Sequence, residues 1–318
     1  MAPTPVVPKL TGAVPSSMLQ EDYRISTLRE LDDLLVHLEW QETLPEVDMR
    51  GVRSSTNGYK PFHKATVSKV GMAGNMFSFK ARKMAPFHSH IEETCLLYFE
   101  MHPLVVEVRA QYVLWNGDKL REAEALNQRL RKTDLMTVDF TLTIKIPGRS
   151  GLLYHVVSAK LDGKVNDPKT LARHMNEIDA LKGYGISHEV MTGQSISHIE
   201  FLNLQRLYER MSFVQIVDIP NLRGPALYFA TKLSKSNISG TLLRNISIIS
   251  ERLNLTIHEG FTYFSLANFF GFIRWDHAHP MRNSLPMSIA QFHVCTPHDI
   301  GNHQSVTFTL WPHCRAPF

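Results

Sequence analysis

The chain has 318 residues, 43% of them hydrophobic and 20% charged, which is enough for one large core and a smaller one. A net charge of +4 is mildly basic and compatible with a polyanionic partner, and 16 histidines make the charge climb quickly below neutral pH. Three scattered cysteines, Cys95, Cys295 and Cys314, exclude a disulfide framework, and no apolar stretch approaches bilayer-spanning length, so a soluble cytoplasmic protein is expected.

Residues 1–24 hold Pro3, Pro5, Pro8 and Pro15 without a basic region followed by an apolar run, and read as a disordered tail rather than a signal peptide. Thr27-Leu28-Arg29-Glu30 has capping-box spacing. It predicts an amphipathic helix to about Trp40, with Leu28, Leu31, Leu35 and Leu38 on one face. Residues 41–88 are irregular and basic, with short strands expected near 65–70 and 76–80. Ser89 is a good N-cap for a helix from His90 to Met101, ended by His102-Pro103. Leu104 to Trp115 is a strong strand, Asn116-Gly117-Asp118 a turn, and Lys119 to Lys132 charged helix material with Leu120, Leu126 and Leu130 as its few apolar residues.

Leu135 to Ile144 and Leu152 to Lys160 flank the turn residues Pro147-Gly148-Arg149-Ser150-Gly151 and read as a hairpin. Asp167-Pro168 opens a helix whose face is marked by Leu171, Met175, Ile178 and Leu181 and which stops at Gly183. Ile186 to Met191 is a short strand. After 193–197 the character becomes helical, at Ile199 to Met211, Thr241 to Leu253 and Tyr263 to Phe269. Phe272 to Trp275 and Leu285 to Ile289 then flank a basic, His-rich turn, which is a winged-helix pattern. The expected organisation is a mixed α/β domain over 25–195, a mainly helical winged-helix-like domain over 196–290 and an extension over 291–318.

In simple register the hairpin sets Asp139 and Lys160 at about the same height, and the helix before it offers Glu92 or Glu93. Two carboxylates and a backbone carbonyl beside a lysine are hard-oxygen ligands suited to Mg²⁺, with the lysine free to stabilise charge on a phosphate. The same residues also fit a solvated ion pair at a sheet rim.

The run Ser89-His90-Ile91-Glu92, Leu96-Leu97-Tyr98-Phe99-Glu100 and Val105 to Gln111, followed by Met136-Thr137-Val138-Asp139-Phe140 and Ser158-Ala159-Lys160, resembles the TnsA family of transposon end-nucleases. Ser265 to Trp275 is similar to that family's C-terminal segment, and the likeness covers roughly 59–290 in one order. The resemblance implies a restriction-endonuclease-like domain with a PD-(D/E)xK site and a winged-helix-like C-terminal domain. It implies cutting of the 5′, non-transferred strands at the ends of a Tn7-like element on the bacterial nucleoid. The implied partners are transposon-end DNA, the DDE transposase TnsB, which cuts and joins the 3′ ends, and the AAA+ ATPase TnsC. By the resemblance, Glu92, Asp139 and Lys160 are catalytic, and Glu92, Asp139 and the Ala159 carbonyl hold Mg²⁺, for which Mn²⁺ substitutes.

Ser158 departs from the glutamine of that family and the acid of its wider superfamily, and a hydroxyl is a poor direct ligand. The departure keeps a non-catalytic adaptor open beside the nuclease, as well as another nuclease of the same fold. Ser158, Arg109 and Gln111 are candidate supporting residues, and Arg274 and Arg282 candidate DNA contacts. Glu107 reads as structural, Cys95 as a core thiol, and Trp40, Trp115 and Trp275 as core. His293, Cys295, His298, His303, His313 and Cys314 match no standard zinc spacing and read as a satisfied or solvated cluster.

Overall fold

A computed structural model describes residues 14–20, 22–34, 36–43, 50, 59–65 and 72–293. Strands β1 (Gly74–Ser78) and β2 (Lys83–Phe87) form an antiparallel hairpin. Helix α1 (His90–Met101) leads to β3 (Val105–Trp115), then α2 (Gly117–Ala125), β4 (Leu135–Ile144) and β5 (Leu153–Ala159). Helix α3 (Pro168–Leu181) crosses over to β6 (Ser187–Met191). The central sheet runs β3-β4-β5-β6, antiparallel except for the parallel β5–β6 pair, so the sheet is mixed. Helices α4 (His198–Glu209), α5 (Ile219–Ser234), α6 (Leu242–Arg252) and α7 (Ile257–Phe269) follow, closed by the antiparallel pair β7 (Ile273–Trp275) and β8 (Ile289–Phe292). Among the described residues no helix is long and apolar enough to cross a membrane.

Several boundaries follow from local chemistry. Ser89 caps α1 by accepting the Glu92 N–H at 3.2 Å, and Asp167 caps α3 by accepting the Thr170 N–H at 3.2 Å, with Pro168 in the first turn. Asn116, expected in a turn, is instead the N-cap of α2, accepting from Asp118 N at 2.9 Å and Lys119 N at 3.3 Å. Helix α2 buries no residue and stops at Ala125, well short of Lys132; Asn127 follows it at φ 53°.

Two expectations fail for tertiary reasons, and several boundaries differ. The helix expected over 27–40 is a single 3₁₀ turn, Leu28–Leu31. Glu30 does accept the Ser26 and Thr27 N–H groups at 3.2 and 3.1 Å, as a capping box would. Leu28 N, a free donor at the start of the turn, donates to Glu189 at 2.9 Å, and beyond the turn Leu38 N donates to Phe270 O at 2.9 Å rather than along a helix. Leu28, Leu31 and Leu38 are buried although no α-helix forms, and Leu35 lies outside the described residues. Arg29 meanwhile grips Glu200 of α4 at 2.7 and 2.9 Å and Ser195 O at 2.7 Å.

On α3 the expected inward face points out: Leu171, Met175 and Ile178 are exposed, while His174, Glu177, Ala180 and Leu181 are buried. The bonds of Glu177, described below, outweigh apolar periodicity here. Helix α5 was not expected; Pro220 falls in its first turn, where its missing N–H costs nothing, and Pro225 sits inside the helix. Helix α7 starts at Ile257, well before Tyr263, because Thr256 and Glu259 form a capping box. The last strand is Ile289–Phe292 rather than 285–289, with Pro286 making one isolated bridge to Thr241. The β2 strand was not expected, and the strand expected near 65–70 lies almost wholly outside the described residues.

Two apolar clusters sit against the sheet. The larger includes Val108, Ala110, Phe140, Val157 and Ala159 with α1 and the C-terminal helices; Trp275 is buried in it and Trp40 packs against it. The smaller holds Tyr112, Leu114, Val138, Val156, Ala180 and Leu181. Ala110 and Tyr112 on β3, and Phe140 and Val138 on β4, are two residues apart yet lie in different clusters. Regular alternation would put them on one face. The face therefore switches at the level of Gln111 and Asp139, between the pairs Ala110–Phe140 and Tyr112–Val138.

Candidate active site

Glu92 is the third residue of α1, where the helix dipole and free N–H groups favour an anion. Its carboxylate curls back to accept the His88 N–H at 3.0 Å, the Ser89 hydroxyl at 3.3 Å and the Gln111 side-chain amide at 3.2 Å. Glu93, the alternative from sequence, instead reaches the His90 ring at 3.2 Å on the outer side. Burial, then the charge of Asp139, push Glu92 up to about 7, against its bonds to His88 and Ser89 and the nearby Lys160.

Asp139, 8% exposed, sits where β4 switches face. Its Oδ2 accepts the Ala159 N–H at 2.8 Å and the Lys160 ammonium at 2.9 Å. The same ammonium donates to the Ala159 carbonyl at 2.9 Å. The hairpin register brings these groups together: Phe140 pairs with Val157, so Asp139 lies level with Ser158 and reaches the two residues beyond.

Ser158 turns to α3. Its hydroxyl donates to Glu177 Oε2 at 2.8 Å, an oxygen that His188 of β6 also meets at 3.0 Å. Arg173 donates to Glu177 Oε1 at 2.9 Å and to Thr137 O on β4 at 2.7 Å. Burial pushes Glu177 upward, but the bonds from His188, Ser158 and Arg173 more than offset it and hold the carboxyl at about 2. Helix α3 is thus tied to β4, β5 and β6 behind Asp139 and Lys160.

Structure therefore gathers Glu92, Gln111, Asp139, Ala159 and Lys160 in one place, with Ser158 adjacent but committed to Glu177. Arg109 lies one strand-step away, donating to Glu107 at 2.8 Å, and Thr143 donates to the other oxygen of Glu107 at 2.8 Å. Arg274 is on β7, 3.7 Å from Asp33, in a cleft of about 830 Å³ that none of the acids or Lys160 lines. Arg282 is exposed beyond β7.

His63 and His88 also stand here, rings 6.4 Å apart. Burial and then His63 push His88 below its ordinary value, with Asp139 opposing. Sequence carried no signal for His63; His88 was adjacent to the capping serine and was overlooked. Glu177 was overlooked too, because its neighbours on α3 looked like a core face.

The hard-oxygen donors for a cation are the carboxylates of Glu92 and Asp139 and the Ala159 carbonyl. Among the described residues no group of three or more His, Cys, Asp and Glu side chains converges as a metal cage. Of the six C-terminal His and Cys residues only His293 is described: its ring packs 4.1 Å from that of His37, and His37 Nε2 meets its carbonyl at 2.9 Å. The other five, Cys295, His298, His303, His313 and Cys314, lie outside the described residues. Cys95 is buried against Met191, 3.9 Å away, and burial raises its thiol far above the usual range. No protein-family model matches this chain, and no curated protein does either.

Proposed function

We propose that the chain is a TnsA-type, Mg²⁺-dependent DNA endonuclease that cuts the 5′ strands at transposon ends, working with TnsB and TnsC. One observation carries the reading: Asp139 and Lys160 are in contact beside the Ala159 carbonyl, and Gln111, level with Asp139 on the neighbouring strand, bonds the Glu92 carboxylate. The order helix, three-strand antiparallel meander, helix, parallel strand is compatible with a restriction-endonuclease-like domain. Three helices followed by the β7–β8 pair are compatible with a winged-helix-like one.

The donor set suits Mg²⁺, which accepts a few hard oxygens and keeps several waters. Burial, and then the charge of Asp139, disfavour a bare Glu92 carboxylate here, and an ammonium already lies between Asp139 and the Ala159 carbonyl, where a cation is favoured. Glu92, Asp139 and Ala159 O would hold the metal; when bound, it supplies Lewis-acid polarisation of the scissile phosphate. Lys160, freed from Asp139, stabilises negative charge growing on the phosphate. Gln111 and the His88 N–H keep Glu92 aimed, while α3 holds β4 and β5 in register.

Ser158 favours a second reading, an adaptor without cleavage, because its hydroxyl is spent on Glu177. Strand-resolved cleavage of labelled transposon-end DNA with Mg²⁺, TnsB and TnsC separates the two. Asp139→Asn should abolish the 5′ nick and leave 3′ cutting intact. Absence of a 5′ nick from the wild-type chain, with 3′ cutting intact, would establish the adaptor instead.

A further inference from the structure

Four non-glycine residues among those described have a left-handed backbone. Asn127 and Asn254 follow helices α2 and α6, and Arg82 sits in the β1–β2 turn. Gln111 alone lies inside a strand, at φ 53° and 3% exposed. That conformation is disfavoured for a side chain that cannot bond its own backbone, and it persists only where the surroundings enforce it. Strain of this kind inside a core strand points to a use.

Both halves of the residue are engaged. Its side-chain amide donates to Glu92 Oε2 at 3.2 Å. Its carbonyl accepts the Phe62 N–H at 3.1 Å, so segment 59–65 docks on β3. Tyr59 anchors the same segment, with its hydroxyl 2.5 Å from Ala110 O and its ring stacked 6.0 Å from Tyr112. Docked there, the segment holds His63 beside His88, next to Glu92, and carries Lys60 and Lys64 exposed. The strand also changes face at Gln111, opposite Asp139.

We propose that Gln111 is a positioning residue: its left-handed backbone turns the carbonyl out to dock segment 59–65 and the amide in to fix the Glu92 carboxylate for a divalent cation. The proposal rests on the nuclease reading for what the cation does, but not for the geometry. A glycine at 111 adopts the same backbone without strain and lacks the amide. A valine resists that backbone.

The test uses the full chain with Gln111→Gly and Gln111→Val, measuring Mn²⁺ affinity by calorimetry, amide exchange at Phe62 and 5′ nicking with TnsB and TnsC. Gln111→Gly should keep Phe62 protected and melt no lower than wild type, yet bind Mn²⁺ about tenfold more weakly, as loss of an outer-shell partner does. Its nicking should fall in kcat with KM for DNA unchanged. Gln111→Val should lose protection at Phe62. Wild-type Mn²⁺ affinity in the glycine variant overturns the role of the amide; if the valine variant folds, wild-type protection of Phe62 in it overturns the docking role. Both expected shifts in a chain that never nicks DNA would support Gln111 and refute the nuclease reading. No Mn²⁺ uptake by the wild-type chain refutes both.

Discussion

Replacing Lys160 with methionine removes one charge and keeps most of the side-chain volume. The ammonium lies 2.9 Å from both Asp139 Oδ2 and Ala159 O, and the two side chains are only 18% and 11% exposed. Two unit charges at that distance attract by roughly 6 kcal/mol at an effective dielectric of about 20. Desolvation of both groups offsets most of that, so a net loss of about 2 kcal/mol is expected, between an exposed pair and a fully buried one. In a chain of 318 residues that lowers Tm by roughly 3 °C without metal. Lys160 also holds Glu92 down, so its loss moves Glu92 further above about 7.

Metal should reverse the penalty. The ammonium contacts the two oxygens, Asp139 Oδ2 and Ala159 O, that a divalent ion would need, so ion and ammonium compete. Lys160→Met should bind Mn²⁺ more tightly by about tenfold, which is about 1.4 kcal/mol. Thermal melts with and without Mn²⁺ check both effects, since a ligand that binds only the folded state raises Tm in proportion to ln(1 + [L]/Kd). A metal-free variant that melts with wild type, or gains no more from Mn²⁺ than wild type does, refutes the competition. Neither measurement depends on cleavage.

Other predictions follow the same chemistry. Glu92 is raised from 4.5 to about 7 by burial and Asp139, so the folded state holds its proton more tightly; this costs stability as pH rises from 4.5 to 7, and the cost stays constant above that. Glu92→Gln should therefore stabilise the metal-free chain by about 3 kcal/mol at pH 8 and by little at pH 4.5, measured by urea titration at the two pH values. Glu177 shows the opposite sign: held at about 2, its contribution is present above 4.5 and lost as pH falls toward 2. Glu177→Gln should cost about 3 kcal/mol at pH 7, and equal stability of variant and wild type there would show that α3 is not fastened by its carboxylate. Met175→Ser should change stability by less than about 0.5 kcal/mol, whereas Leu181→Ala on the same helix should cost about 2–4 kcal/mol by denaturant melts.

Much of the sheet was legible because its signals are local. Ser89 and Asp167 announce their helices by side-chain capping, and β-branched runs mark β3, β4 and β5. The meeting of Asp139 with Lys160 follows from hairpin register, which needs only a strand period and a turn. What escaped was set by distant partners. Leu28, Leu31 and Leu38 have helical spacing, but Phe270 takes the Leu38 N–H that a helix would have kept, and Glu189 holds the start of the segment from a distant strand. Three apolar residues on α3 promised an inward face, but one buried glutamate with three donors turned the helix over. The left-handed Gln111 leaves no trace in composition, since nothing in its neighbours calls for that backbone.

The segment over 28–38 has a mechanical consequence. Its three attachments reach β6 through Glu189, α4 through Glu200 and the end of α7 through Phe270. It works as a strap across the sheet and the helical bundle, so neither can swing away without breaking a charge-assisted fork and exposing Leu28, Leu31 and Leu38. The sheet that carries Asp139 and the helices that follow it are thus tied to one another by a segment that comes before both in the chain.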